Sequence, residues 1–144
     1  MRAWLALALI SLSGSAAADV SRHVQQCNHA VDETGVKSCT VLLKSYPAED
    51  EVKAGFLDSR ANAYYRMGKY LRAIADFTHA IKIRPNEARY YYSRALAWSL
   101  IKGHQQAIAD YSRYLKLSPR DNATATVLAR AVQHLTEAYP AFSK

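Results

Sequence analysis

The sequence predicts an all-α protein, a solenoid of stacked helix–turn–helix units closed by a C-terminal capping helix. An internal repeat leads to this class. AIADFTHAIKIRP, from Ala73 to Pro85, recurs as AIADYSRYLKLSP from Ala107 to Pro119, and the 34-residue blocks Ala54–Glu87 and Ala88–Asp121 align without a gap. Eleven positions are identical, among them Arg60/Arg94, Ala61/Ala95, Ala73/Ala107, Asp76/Asp110 and Pro85/Pro119. A second observation is period. Apolar residues recur at helical spacing in two runs per block, first Leu57, Ala61 and Tyr64, then Ala73, Ile74, Phe77 and Ile81, with Gly68 between the runs and a proline at the end. A hairpin of this kind cannot bury its apolar side alone, and stacking on a copy of itself supplies the missing surface.

Taken in order, residues 1–18 read as an export signal: Arg2 is positive, Trp4 to Leu12 is apolar, and Ala16-Ala17-Ala18 is a small-residue cleavage site, so the mature chain is expected to begin at Asp19. The apolar run is far shorter than the roughly 18 to 20 residues that span a bilayer. Residues 19–53 form a degenerate opening hairpin, with Val20 to Ala30 as its first helix and Gly35 to Pro47 as its second. Blocks 54–87 and 88–121 are the two clear repeats. Alanines stand where the paired helices should cross, Ala61 near Ala73 and Ala95 near Ala107, while Tyr64 and Trp98 fill core positions around them. In the second block Gly103 stands one residue later than Gly68 does in the first, which suggests a shifted turn, and Tyr114 replaces Ala80, which suggests looser packing. Residues 122–144 hold the capping helix and tail: Asn122 can cap a helix whose apolar face is Val127, Leu128, Ala131, Val132 and Leu135.

The stretch NAYYRMGKYLRAIADFTHAIKIRPNE, from Asn62 to Glu87, resembles the tetratricopeptide repeat (TPR), and the block from Ala88 to Asp121 resembles it with the two departures just described. The resemblance implies seven helices in a short right-handed superhelix, with the first helix of each repeat lining a concave face that holds a peptide or a partner helix. On that face stand Asn62, Tyr65, Arg66, Arg89, Tyr92 and Leu96, the candidate partner-binding residues. Some relatives grip a C-terminal carboxylate with a clamp of Lys and Asn. Here Asn62 matches one member of that clamp, but Asp58 stands in place of a Lys and Ser93 in place of an Asn, so that ligand is not expected.

Cys27 and Cys39 lie on the two helices of the opening hairpin, with a turn near Glu33 to Gly35 between them. An even cysteine count in an exported chain points first to a disulfide, and a bridge closing this loop would stabilise by roughly 3 kcal/mol. Free thiols, or a zinc site that adds His23, remain alternatives, although no fourth ligand is evident. The chain also resembles small exported bacterial TPR proteins in which a cysteine-bearing hairpin precedes AIADF-like repeats.

No phosphate-binding glycine loop, nucleophile elbow or histidine–metal motif occurs. Asp76 and Asp110 occupy equivalent places in different repeats, which predicts helix-surface roles rather than a catalytic carboxylate pair. Neither catalytic residues nor a metal nor a cofactor is expected. The full chain carries a net charge of +7, and the repeats hold the excess: 12 basic against 4 acidic residues from Ala54 to Arg120, against 4 and 6 from Asp19 to Lys53. This balance favours an acidic protein or peptide partner. Export disfavours nucleic acid and leaves only peripheral contact with membranes. The expected function is therefore a non-enzymatic protein-binding scaffold, periplasmic or secreted. Two alternatives are a binder of anionic envelope polymer or lipid headgroups through the basic repeat face, and an oligomerising structural subunit.

Overall fold

The computed structural model describes residues 14–118 and, beyond them, positions 126, 128, 130, 132, 133, 136 and 137. Six helices are delimited among the described residues: α1 (Gly14–Asn28), α2 (Glu33–Ser45), α3 (Asp50–Arg66), α4 (Tyr70–Ile83), α5 (Ala88–Leu100) and α6 (His104–Leu117). The later described positions are also helical, with Thr136 donating to the Val132 carbonyl at 2.8 Å. Most of the leader and the expected cap at Asn122 lie outside the described residues. The protein is an all-α solenoid of three hairpins, α1–α2, α3–α4 and α5–α6, each packed on the next.

Local chemistry sets the helix ends. Asp32 caps α2, accepting from the backbone amides of Thr34 and Gly35 at 3.0 and 3.1 Å, so the first turn of the hairpin falls at His29–Asp32 and Gly35 is already helical. α3 starts at Asp50, four residues ahead of the repeat block, and Asp50 and Glu51 place negative charge at its N-terminus.

The turn between α5 and α6 is not shifted as the late glycine suggested. Gly68 adopts φ 72° and Lys102, its counterpart 34 residues on, adopts φ 61°. The bonds agree: the Lys69 amide reaches the Tyr64 carbonyl at 2.8 Å, and the Gly103 amide reaches the Trp98 carbonyl at 2.8 Å. Gly103 answers a different need. A Cβ there would lie 2.6 Å from Cε3 of Trp98, so the indole occupies the space that a side chain would take. Trp98 is accordingly half-buried over the turn, not the core residue expected, and Tyr90 is the largest fully buried side chain.

The four crossing alanines, Ala61, Ala73, Ala95 and Ala107, are all fully buried as predicted. Tyr114 is not loosely packed. Its ring sits 5.3 Å from that of Tyr92, in a cluster with Leu128 and Val132 from the helical segment beyond α6.

Asp76 and Asp110, expected at helix surfaces, are buried, and the cause is a repeated ion pair. Arg60 donates to both carboxylate oxygens of Asp76 at 2.7 and 2.8 Å, and its Nη1 donates to Oγ1 of Thr40 on the preceding hairpin at 3.0 Å. Arg94 repeats this with Asp110 at 2.7 Å twice and with Thr78 at 2.9 Å. Each arginine thus ties its own hairpin together and fastens it to the previous one. No buried side-chain polar atom among the described residues lacks a partner.

The opening hairpin is held differently. Cys27 and Cys39 are joined as a disulfide with their Cα atoms 4.7 Å apart, and both are fully buried. Beside them Ser38 donates to Oε1 of Gln26 at 2.7 Å and lies 3.2 Å from Nδ1 of His23. A Cβ at Gly35 would meet Cα of Ala30 at 2.5 Å, so only glycine permits this approach.

Candidate functional site: a groove walled by the first helices

Successive first helices wall a polar groove. Its main cavity, about 600 Å³, is bounded by the end of α1 and the following turn (Asn28, His29, Val31), by Asp58, Asn62 and Arg66 of α3, and by Arg89 of α5. A second cavity of about 560 Å³ shares Asn28, Asp58, Ser59 and Arg89 with the first and adds the apolar side chains of Val24, Val52 and Phe56. The two form one trough, with a charged half and an apolar half.

Asp58 stands at the junction. Its carboxylate accepts from Asn62 at 3.0 Å and pairs with Nη1 of Arg89 at 3.5 Å. Burial pushes its carboxyl above the ordinary range, with Arg89 and the Asn62 hydrogen bond opposing that shift. Asn62 also donates to the Asp58 carbonyl at 2.8 Å, which fixes its amide with its oxygen left for a ligand. Arg89 is exposed and lies 5.1 Å over the Tyr90 ring, held by a cation–π contact and long pairs to Asp58 and Glu87. Arg66 is exposed and makes no ion pair among the described residues. The trough can therefore offer two exposed guanidinium groups and an amide to hydrogen-bond acceptors on an extended segment.

Of the six residues expected on the concave face, the structure brings Asn62, Arg66 and Arg89 together. Tyr65, Tyr92 and Leu96 line neither cavity. Tyr65 packs edge-on to Tyr70 at 5.6 Å and against the Ala61, Ala73 and Phe77 cluster. Tyr92 lies 6.1 Å from Tyr111, and Leu96 joins Leu128 and Val132. The reason is end-capping: Tyr92 and Leu96 are the counterparts of Asp58 and Asn62 one repeat later, and there the helical segment beyond α6 covers the face. Asp58 belongs to the face the period assigns, but the α1 residues, Val52 and Phe56 do not follow from it. The signal for α1 was obscured because its hairpin matches the repeats only at an offset of 38 residues, visible in Thr40/Thr78, Lys44/Lys82 and Pro47/Pro85.

Residues 61–98 match the family model described as TPR repeat. Among solved structures the chain is similar to the Arabidopsis OM64 TPR domain, at 24% identity and a TM-score of 0.60, covering 71% of this chain and 80% of that one. The first TPR domain of human RPAP3 matches at 20% identity and a TM-score of 0.65, over 83% and 91% of the two chains. The first TPR of Spaghetti (RPAP3), bound to the HSP90 peptide SRMEEVD, matches at 21% identity and a TM-score of 0.62, over 84% and 87%. The fold is that of TPR domains. No curated protein matches the chain at a significant level. TPR domains are protein-interaction modules, and the Spaghetti domain holds its peptide as a bound ligand. Among the described residues no group of three or more His, Cys, Asp or Glu is placed to hold a metal ion.

Proposed function

We propose that this protein is a non-enzymatic interaction scaffold, exported to the periplasm or beyond, that binds an extended peptide segment or a partner helix in the trough walled by the first helices of its three hairpins, as part of an envelope-associated complex. The observation that carries the reading is the convergence of Asn62, Arg66 and Arg89 from two successive first helices onto one open trough beside an apolar half lined by Val24, Val52 and Phe56. Such a surface meets the needs of an extended chain, which requires donors along its length and pockets for alternate side chains. Charge supports an acidic segment, since Arg66 and Arg89 are exposed and only Asp58 opposes them within the trough. The peptide on the Spaghetti domain is itself rich in acidic residues. The leader supports export, and the disulfide suits an oxidising compartment.

A photo-crosslinking residue in place of Ser59, followed by mass spectrometry of the captured partner, tests this. The double variant Arg66→Ala with Arg89→Ala should weaken the captured interaction at least about tenfold, because charged anchors carry a large share of such interfaces. Lys82→Ala, on the outer face, should leave it unchanged. Loss on Lys82→Ala with retention by the trough variant would overturn the reading.

A further inference from the structure

The three hairpin turns lie along one edge of the solenoid, and the hairpin-to-hairpin loops lie along the other. Direct contacts establish this. Lys69 in the second turn bonds Glu33 at the first, and a shallow apolar notch of about 390 Å³ joins Tyr70 and Leu71 to Ile101 at the third turn. At the opposite edge Arg84 reaches Glu51 at 3.4 Å.

The two edges differ in composition. Four large aliphatic residues are exposed among those described, and three of them, Val31 (53%), Leu71 (69%) and Leu100 (52%), stand at the turn edge, one at each hairpin turn. Around them lie Arg66, Lys69, Arg72 and Lys102, against Asp32 and Glu33 only. Arg66, Arg72 and Lys102 make no ion pair among the described residues, and Lys102 protrudes from the left-handed apex of its turn. The loop edge mixes both signs and carries one exposed large aliphatic residue, Val52: Glu49, Asp50, Glu51 and Glu87 lie among Lys44, Lys53, Lys82, Arg84, Arg89 and Lys116, with Lys53 paired to Asp50 at 3.5 Å and Arg84 to Glu87 at 3.2 Å.

We propose that the turn edge is a docking surface for an anionic lipid bilayer, with Leu71, Leu100, Ile101 and Val31 entering the headgroup region and Arg66, Arg72 and Lys102 meeting lipid phosphates. Cations near a charged leaflet and shallowly inserted aliphatic side chains add in this arrangement, whereas a hydrated polyanion rewards only the cations. Protruding aliphatic side chains flanked by exposed cations that form no salt bridge among the described residues, Arg72 lying 5.7 Å over the Tyr64 ring, therefore favour a lipid surface. No described helix is long and apolar enough to cross a membrane, so the contact is superficial. Val31 and Arg66 also line the trough, which adjoins this edge; Leu71, Leu100, Arg72 and Lys102 do not line it, and the test uses those four.

The test is co-sedimentation of the full chain with vesicles of phosphatidylglycerol and phosphatidylcholine, and with vesicles of phosphatidylcholine alone. Any contribution from residues 1–13 is common to every variant. Binding is expected only to the anionic vesicles. Leu71→Ser with Leu100→Ser should weaken it about tenfold, and Arg72→Glu with Lys102→Glu should abolish it, through the two contributions named. Lys82→Glu with Lys116→Glu carries the same change in net charge on exposed positions toward the loop edge and should stay within about twofold of the unaltered protein. All substituted positions are exposed, and far-UV circular dichroism verifies the fold. Equal losses in the two charge variants would overturn the proposal in favour of net charge alone. Wild-type behaviour of the leucine variant, with tight binding to soluble heparin, would overturn it in favour of a polyanion ligand.

Discussion

Asp110→Leu should be among the most damaging substitutions in the protein. Its carboxylate takes two hydrogen bonds from Arg94 at 2.7 Å each, and the pair is largely removed from water, with side-chain exposures of 18% for the arginine and 8% for the aspartate. Removing the carboxylate leaves a guanidinium with one remaining bond, to Thr78 at 2.9 Å. Breaking a buried pair in this way costs about 3–5 kcal/mol. The residual path of Arg94 to solvent places the expected loss near the lower end, about 3 kcal/mol, or roughly 10 °C in melting temperature for a domain of this size. The double variant Arg94→Met with Asp110→Leu removes both charges and both desolvation costs, so it should return to within about 1 kcal/mol of the unaltered protein. Urea unfolding followed by far-UV circular dichroism gives all four corners of the cycle. A single variant within about 1 kcal/mol of the unaltered protein, or a double variant no better than the single, would refute the assignment of Arg94 and Asp110 as a self-contained buried pair.

Tyr90→Ala, which empties the largest fully buried position, should lose about 3–5 kcal/mol, while Trp98→Ala, half-buried over its turn, should lose about 2; the reverse order in chemical denaturation would mean that the indole anchors the core. Lys102→Gly relieves a non-glycine residue at φ 61° and should raise stability by about 0.5–1 kcal/mol, read as a higher urea midpoint. Reduction of the disulfide, or Cys27→Ser with Cys39→Ser, should remove roughly 3 kcal/mol and speed hydrogen exchange in α1 far more than in α5, as mass spectrometry of pulse-labelled fragments would report. Asp58→Asn should be more stable than the parent at pH 7, because a carboxyl whose folded pKa is raised favours the unfolded state once ionised. The gap should close as pH falls through the carboxylate range and both proteins carry a neutral side chain; a gap that widens on acidification would contradict burial as the dominant cause.

The repeat period made α3 to α6 legible, because period, glycine and proline all mark the same boundaries and the buried alanines follow from them. What it could not mark was depth. Asp76 reads as a surface residue because a lone carboxylate on a helix is normally solvated; its burial depends on Arg60, sixteen residues earlier on the other helix, which the sequence shows only as a repeated letter. Trp98 read as core because Tyr64 stands in register with it, yet the space available is decided by Gly103, which the alignment treated as a displaced turn residue. The trough was half legible for a related reason. Asn62, Arg66 and Arg89 sit on repeats whose faces the period assigns, whereas its other wall comes from α1, a helix with no repeat partner in the sequence. Tyr92 and Leu96 occupy positions equivalent to trough residues, but at the end of an array equivalence of sequence is not equivalence of exposure.

The three hairpins solve one packing problem in two ways. At the offsets of 38 and 34 residues, Cys39, Phe77 and Tyr111 are one structural position, the side chain that fills the space between paired helices, and Ser38, Asp76 and Asp110 are its neighbour. In the second and third hairpins an aromatic ring fills the gap, a crossing alanine sets the spacing, and an Arg–Asp pair ties the helices to the hairpin before. In the first hairpin Arg22 stands sixteen residues before position 38, as Arg60 does before Asp76, but it is exposed and pairs with Asp19 at 3.4 Å, and no preceding hairpin among the described helices offers a threonine to fix a guanidinium inward. A neutral serine bonded to Gln26 stands at position 38 instead. With Gly35 in place of alanine the helices approach too closely for a ring, and the sulfur–sulfur bond fills the reduced gap while supplying the cross-link that the ion pair gives elsewhere. The end of the array most exposed to fraying is thus closed covalently, and it is that end which forms one wall of the trough. The disulfide therefore acts on the candidate site through position rather than contact: it holds Asn28 and His29 against α3, and the trough keeps its shape only while α1 stays docked.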